Sequence, residues 1–251
     1  MKVAALADIH GNLPALEAVL AEVERQSPDV IVFCGDVASG PFPAETIDRI
    51  REVENACFVR GNADRGLINA FDGKPPGPMP GPFLDWCVAR IDQRQRDFLA
   101  SFEETVAVDG VDGAGRVLFC HASPRNDTDV FLAVSSRARI SALMSGVDAG
   151  MVVCGHTHMQ FDIEVDGVRI VNAGSIGMPY GEPGAHWLLL GPEVDLRQTD
   201  YDREAAARQI RALGWAGAGD FAAKNVLSVQ SVEEATRFLG DAEARQTAGS
   251  A

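Results

Sequence analysis

Four of the five histidines in this chain follow short apolar runs, in the company of aspartate and asparagine. KVAALA leads into Asp8-Ile9-His10, VIVFC into Gly35-Asp36, and ACFVR into Gly61-Asn62-Ala63-Asp64. RVLFC leads into His121, and MVVC into Gly155-His156-Thr157-His158. Carboxylate, amide and imidazole donors suit Mn, Fe, Zn, Ni or Co, and not a thiolate-preferring ion. Seven such groups (Asp8, His10, Asp36, Asn62, His121, His156 and His158) are too many for one ion and about right for two. A carboxylate between two cations about 3.5–4 Å apart is what a two-metal hydrolytic site requires. Taken singly, each motif is a common turn pair. Five of them at five run ends make one converging set.

Each apolar run reads as a strand that aims its trailing loop. Lys2–Ala7 is followed by Asn12 as a helix cap, Pro14 in the first turn and the helically spaced LPALEAVLAEVE. VIVFC, a helix over about 44–53 behind Pro43, and ACFV to Arg60 continue the alternation, which predicts parallel strands flanked by helices. Ligands of such sheets bind beyond the carboxyl ends of the strands, where all five motifs fall. The segment 72–82, DGKPPGPMPGP, cannot hold regular structure; it reads as a connector or as a lid beside the cleft. A helical stretch is expected over 83–102, strands over 104–109 and 116–120, and helix over 130–145. FDIEV, VRIVNA and HWLLL then read as an antiparallel continuation. Helices near 202–213 and 231–240 and a frayed ARQTAGSA close the chain.

Composition narrows the function. At 251 residues and 46% hydrophobic, the chain buries a full core as one domain spanning 1–251, its motifs within about 1–200 and a helical tail over about 201–251. No stretch of about 18 apolar residues exists to span a membrane, and the opening run is too short for a signal peptide, so a cytoplasmic location is expected. Five cysteines without a CxxC pair read as reduced thiols. Cys34, Cys120 and Cys154, each just before a ligand motif, read as buried and inert. A net charge of −14 argues against nucleic acid as a partner, while a small phosphorylated substrate fits if local cations reverse the field.

The ordered set DIH, GD, GNAD, H and GHTH resembles the calcineurin-like metallophosphoesterase superfamily, most closely its bacterial predicted-phosphodiesterase branch. ALADIHGNLPALEAVL, CHASPRNDTDVFL and VNAGSIGMPYGEPG carry the likeness across roughly residues 1–200. The resemblance implies an α/β fold, a four-layer αββα sandwich, with two divalent metal ions, Mn foremost. It implies that Asp8, His10 and His158 hold one ion, that Asn62, His121 and His156 hold the other, and that Asp36 bridges them. It implies a metal-held hydroxide attacking phosphorus in line, with Asp36, Asn62 and His121 closest to the reaction.

Ala63 departs from that pattern. Branches that read GNH[DE] carry at this position a histidine that assists the leaving oxygen, and alanine cannot. General acid assistance is typically worth about 10²–10⁴-fold. Either Asp64, Asp127, Asp129 or His186 supplies the proton, or the leaving group is acidic enough to need none. Arg60 and Arg125 flank ligand loops and match phosphate oxygens, or else pair with carboxylates. Asn12 is a substrate contact or, more simply, the helix cap. His186 otherwise reads as a structural strand-end residue. NAGSIG offers glycines for close backbone approach. The expected activity is a metal-dependent phosphoesterase acting on phosphodiester or phosphoanhydride bonds of small, nucleotide-like substrates. The alternatives are a small-molecule phosphomonoesterase and a non-catalytic metal-binding scaffold.

Overall fold

The structure is a computed structural model that describes residues 1–77 and 81–249. Strand β1 (Val3–Leu6) pairs parallel with β2 (Val30–Phe33), and β2 pairs parallel with β3 (Ala56–Phe58). Helix α1 (Leu13–Gln26) joins the first pair and α2 (Pro43–Arg51) the second. Helices α3 (Asn62–Phe71), α4 (Gly81–Val88) and α5 (Gln93–Ala100) follow. A second sheet is then laid down: β4 (Thr105–Val111), β5 (Gly115–Cys120), helix α6 (Arg137–Leu143), β6 (Met151–Cys154), β7 (Phe161–Val165) and β8 (Val168–Asn172). Its order is β4-β5-β6-β8-β7. β9 (Ala185–Leu190) and β10 (Val194–Thr199) return to the first sheet, ordered β10-β9-β1-β2-β3.

The unbroken apolar character of β1 follows from burial on both faces. Its Val3 and Ala5 meet Val117, Phe119, Val153 and Val171 of the second sheet, while Ala4 and Leu6 meet Leu16, Val19 and Val23 of α1. On the far face of the second sheet, Val152, Cys154 and Ile170 pack with Ile140 and Leu143 of α6. Helix, sheet, sheet and helix thus stack in four layers, the αββα arrangement expected from the sequence. At roughly 25 cal/mol per Å² of apolar surface, burial across three such interfaces is the main force holding the layers together.

Several local expectations give way. The stretch 83–102 is two helices, because Asp92 opens a new one: its carboxylate accepts from Gln95 N–H while the Gln95 side chain accepts from Asp92 N–H. Over 130–145 only Arg137–Leu143 is α-helical. The expected antiparallel continuation is mixed: β8 runs parallel to β6, β7 runs antiparallel to β8, and β9 crosses to pair antiparallel with β1. The tail is not frayed through 249. After α7 (Arg203–Ala212), a short α8 (Ala218–Phe221) and a π-helical turn at Ala222–Leu227, helix α9 runs from Val232 to Gly249. Gln246 accepts from Val130 N–H and donates to the Thr128 carbonyl, and Leu239 packs on Val130 and Leu132. Tertiary contact orders a helix that local composition alone would leave loose. The 72–82 segment includes residues 78–80, which lie outside the described ones, so its expected role as a lid or connector stays an expectation, but its irregular stretch ends sooner than expected because Gly81 and Pro82 begin α4. Among the described residues, no helix is long and apolar enough to cross a membrane.

Candidate metal centre

All seven candidate ligands converge at the C-terminal ends of β1, β2, β3, β5 and β6. The two sheets are joined there by side chain and main chain together: His121 Nδ1 lies 2.8 Å from the Cys34 carbonyl, and His156 N–H donates to Asp8 Oδ2 at 2.8 Å. Five of the seven hold left-handed backbone: Asp8 (φ 54°), His10 (47°), Asp36 (55°), His156 (66°) and His158 (58°). A non-glycine residue in that region costs of order 1–3 kcal/mol and persists where its surroundings over-determine it. Here the strain turns side chains from separate loops toward one point.

Two glycines of the motifs are required by that convergence. A Cβ on Gly61 would stand 2.1 Å from Asp36 Oδ1, and one on Gly155 would stand 2.4 Å from Asp8 Oδ2. Both positions let a backbone lie directly against a ligand carboxylate.

The donor atoms fall into two sets, Asp8–His10–His158 and Asp36–His121–His156, each with its atoms within 4.8 Å of one another. In the first, His10 Nε2 is 3.2 Å from His158 Nε2, and Asp8 Oδ1 is 3.2 Å from the same nitrogen. Asp8 Oδ1 is buried with no hydrogen-bond partner. In the second, Asn62 Oδ1 stands 3.1 Å from His121 Nε2 and 2.9 Å from His156 Nδ1. Turning that amide would let it donate to both rings; as oriented, three lone pairs face one point, which is what a cation needs. Asp36 Oδ2 lies between the sets, 3.7 Å from His10 Nε2 and 3.5 Å from His121 Nε2.

The imidazoles are pre-set for this. Nδ1 of His10, His121 and His158 lies 3.2, 2.8 and 2.7 Å from the carbonyls of Ser39, Cys34 and Met178. Each Nδ1 therefore donates outward and each Nε2 faces inward, where a cation would replace any proton it carries, the outer-partner logic of metal-binding histidines. An orphaned carboxylate oxygen, inward lone pairs and an N/O donor set fit one or two divalent cations.

Without a cation the charges settle on one another. Burial would raise the Asp36 carboxyl, but His121, His10 and His156 hold it far below the carboxylate range. Burial would lower His121, but Asp36 and Asp8 push it up to about 10; His158 is raised in the same way by Asp8. Burial, with His121 beside it, drops His156 to about 4, and burial also lowers His10. Burial pushes the thiols of Cys34, Cys120 and Cys154 up, so all three stay neutral in apolar surroundings, as expected of them.

The remaining candidates are placed as follows. Ala63 is buried, and its N–H donates to Asp36 Oδ1 at 2.7 Å. Asp64 accepts from the N–H groups of Asp36, Val37 and Gly61, so it braces the loop, while burial beside Asp36 pushes it up to about 7. Asp127 is locked two-pronged with Arg65 at 2.7 and 2.9 Å, and Asp129 accepts from Ser123 Oγ. His186 lies apart, lining a cavity with Tyr180 and Glu182. Asn12 is fully buried: its amide oxygen caps α1 at Ala15 N–H, and its NH₂ donates to the Gly177 carbonyl and Tyr201 Oη. That geometry matches the helix-cap reading. Arg60 and Arg125 line one small cleft beside Asn62.

Three supporting groups escaped the sequence reading. Asn172 donates to the Gly155 carbonyl at 2.6 Å and to Thr157 Oγ1 at 3.0 Å, and it accepts from Gly174 N–H. Ser175 Oγ donates to the Asp8 carbonyl, and the Tyr180 ring stacks on His158 at 5.6 Å. The NAGSIG glycines do make the expected close approach, since a Cβ on Gly177 would collide with the Ile9 carbonyl, while the asparagine and serine of the same loop do the holding.

The profile of the calcineurin-like phosphoesterase superfamily domain matches residues 1–193. A curated relative, the uncharacterised protein MJ0912 of Methanocaldococcus jannaschii, is 24% identical over 228 residues, covering 83% of this chain and 91% of its own. Among solved structures, hypothetical protein PH1004 of Pyrococcus horikoshii OT3 superposes with a TM-score of 0.74 at 21% identity, covering 88% of this chain and 97% of that one. A metallophosphoesterase of Sphaerobacter thermophilus follows at 0.69 and 23%, covering 90% and 99%. These two likenesses concern the fold. With the profile spanning most of the chain, five ligand loops in family order and a donor set built for cations, the protein belongs to the calcineurin-like phosphoesterase superfamily.

Proposed function

We propose that this protein is a dinuclear-metal phosphoesterase that hydrolyses phosphodiester or phosphoanhydride bonds of small substrates, nucleotides among them, in the cytoplasm. One observation carries the reading: two donor sets lie side by side, with Asp36 Oδ2 of the second 3.5 Å from His121 of its own set and 3.7 Å from His10 of the other. Asp8, His10 and His158 would hold one ion, Asn62, His121 and His156 the other, and Asp36 both, with manganese the expected metal. Bound there, two divalent ions supply Lewis acidity toward phosphoryl oxygens and lower the pKa of water.

The chain's own residues do the rest. The Ser39, Cys34 and Met178 carbonyls face Nδ1 of three imidazoles and so aim each Nε2 inward. Asp64 fixes the loop that carries Asp36. Ala63 brings no proton to the leaving oxygen, and neither Asp64 nor Asp127 is free to do so, one being engaged with three N–H groups and the other with Arg65. Leaving groups that depart as stable anions are therefore favoured.

The test is kcat/KM for bis-(p-nitrophenyl) phosphate against p-nitrophenyl phosphate on manganese-loaded protein, with a chelated control. Preference for the diester, abolished by chelation, supports the reading. Monoester preference would redirect it to a phosphomonoesterase, and no turnover with both metals bound would leave a scaffold.

A further inference from the structure

Two cavities flank the metal centre, and their chemistry differs. On the His158 side, beyond Tyr180, a cavity of about 520 Å³ is lined by Leu132, Met159, Phe161 and Val232, with Glu182 and no lysine or arginine. An anionic group meets no fixed positive charge there. On the Asn62 side a cleft of about 150 Å³ is lined by three arginines, Arg60, Arg65 and Arg125. It adjoins the site directly, since the Asp127 carbonyl in its wall is 3.1 Å from Asn62 Oδ1. At about 10–15 Å³ of cavity per water, it holds roughly ten water molecules. That is room for a hydrated phosphoryl group and too little for a nucleoside.

The cleft is built rather than incidental. Ser123 Oγ accepts from Arg125 N–H, and Asn126 Oδ1 accepts from Thr128 and Asp129 N–H, so a tight turn presents Arg125. The Arg125 guanidinium has no ion pair or hydrogen bond among the described residues. Arg60 Nε is buried and unpartnered, and its Nη2 rests on Glu104, an 86% exposed side chain that an incoming anion readily displaces. Arg65 is held by Asp127. Three guanidiniums against two carboxylates leave a net positive cleft in a chain of net charge −14.

We propose that Arg60, Arg65 and Arg125 form a subsite for a second phosphoryl group, so that the bond cleaved is a phosphoanhydride and the leaving group is itself a phosphate. The inference rests on the phosphoesterase reading and narrows its substrate class. Water oxygen bonds to the phosphorus at the metal centre, and the bond from that phosphorus to the bridging oxygen breaks. The bridging oxygen departs with the electron pair as part of the second phosphate, and the water proton passes to solvent. The guanidiniums neutralise the charge that a proton donor at position 63 would otherwise quench, which accounts for an alanine there.

The experiment compares wild type with Arg125→Ala, Arg125→Lys and Arg60→Gln. Calorimetry first sets α,β-methylene-ADP against AMP, two probes that differ in the second phosphoryl group. Wild type is expected to bind the diphosphate analogue at least about tenfold tighter, the worth of one charge-assisted hydrogen bond, with the margin lost in R125A and partly kept in R125K. Turnover of ADP relative to bis-(p-nitrophenyl) phosphate is expected to fall by about tenfold or more in R125A and R60Q. Equal binding of the two probes by wild type, or equal loss on both substrates in R125A, overturns the subsite while leaving the phosphoesterase intact. Absence of all turnover with metal bound, alongside a persisting binding preference, overturns the catalytic reading and supports the anion subsite.

Discussion

The main-chain N–H of His156 donates to Oδ2 of Asp8 at 2.8 Å, so residues 148 positions apart share one hydrogen bond at the mouth of the two sheets. It leaves the other carboxylate oxygen of Asp8 buried, unpartnered and facing His158. One oxygen holds the loop and the other is available to a cation. Asp8→Asn keeps an acceptor for the N–H and removes the charge. Its melting temperature should stay close to wild type, while metal affinity falls by more than the roughly 10–100-fold that loss of an outer partner costs. Elemental analysis of dialysed protein checks this; a variant with full metal content would mean that Asp8 is structural only.

Gly155 is the backbone side of the same contact. Gly155→Ala puts a methyl 2.4 Å from Asp8 Oδ2 and 2.7 Å from the Ala7 Cβ, and neither buried neighbour can retreat. Overpacking of this kind typically costs about 1–3 kcal/mol. Gly240→Ala, within α9 and facing open space, should stabilise by about 0.5–1 kcal/mol. Denaturant midpoints of the two variants should move in opposite directions, and a neutral Gly155→Ala would refute the close approach.

Asn172 is fully engaged with the 155–157 loop from the end of β8. Asn172→Ala leaves the buried Gly155 carbonyl without its donor, a cost of about 1–3 kcal/mol. Metal affinity should fall with stability, because the loop carries His156 and His158. Loss of stability with metal affinity unchanged would show that the loop holds its shape unaided.

The metal-free protein should be most stable near pH 6.5. His121 and His158 have raised pKa values in the fold, so their contribution is complete below the unfolded value and is lost as pH rises, for His121 through about 10. His156 and His10 are lowered, so between about 6.5 and 4 the unfolded chain takes up protons that the folded His156 refuses, and stability falls toward acid, offset in part by Asp64, which the fold raises to about 7. Loading with metal must expel the His121 proton, so affinity should rise with pH across the same alkaline range. Melting temperatures of chelated protein from pH 4 to 10, with proton release measured on metal addition, test both slopes. A monotonic profile or proton-neutral metal uptake would contradict the assignment.

The sequence by itself marks the candidate ligands and where along the chain they fall. Apolar runs bury strands, and a loop that follows a buried strand opens at a sheet end, so Asp8, His10, Asp36, Asn62, His121, His156 and His158 were legible from run and motif alone. The parallel β1-β2-β3 ladder was legible too, because helically spaced segments separate its strands. Only the tertiary structure decided how the pieces face one another. Nothing local tells Ala185–Leu190 to leave the second sheet and pair with β1, since both sheets still offer an edge strand and the choice rests on packing elsewhere in the fold. Nothing local reveals that Asn172 and Ser175 hold the 155–157 loop and Asp8, or that Arg60, Arg65 and Arg125 share one cleft. Hydrogen-bond direction, imidazole tautomer and left-handed backbone at five ligand residues are settled by neighbours far away in the chain. Residue type fixes what a group can do, and packing fixes what it meets.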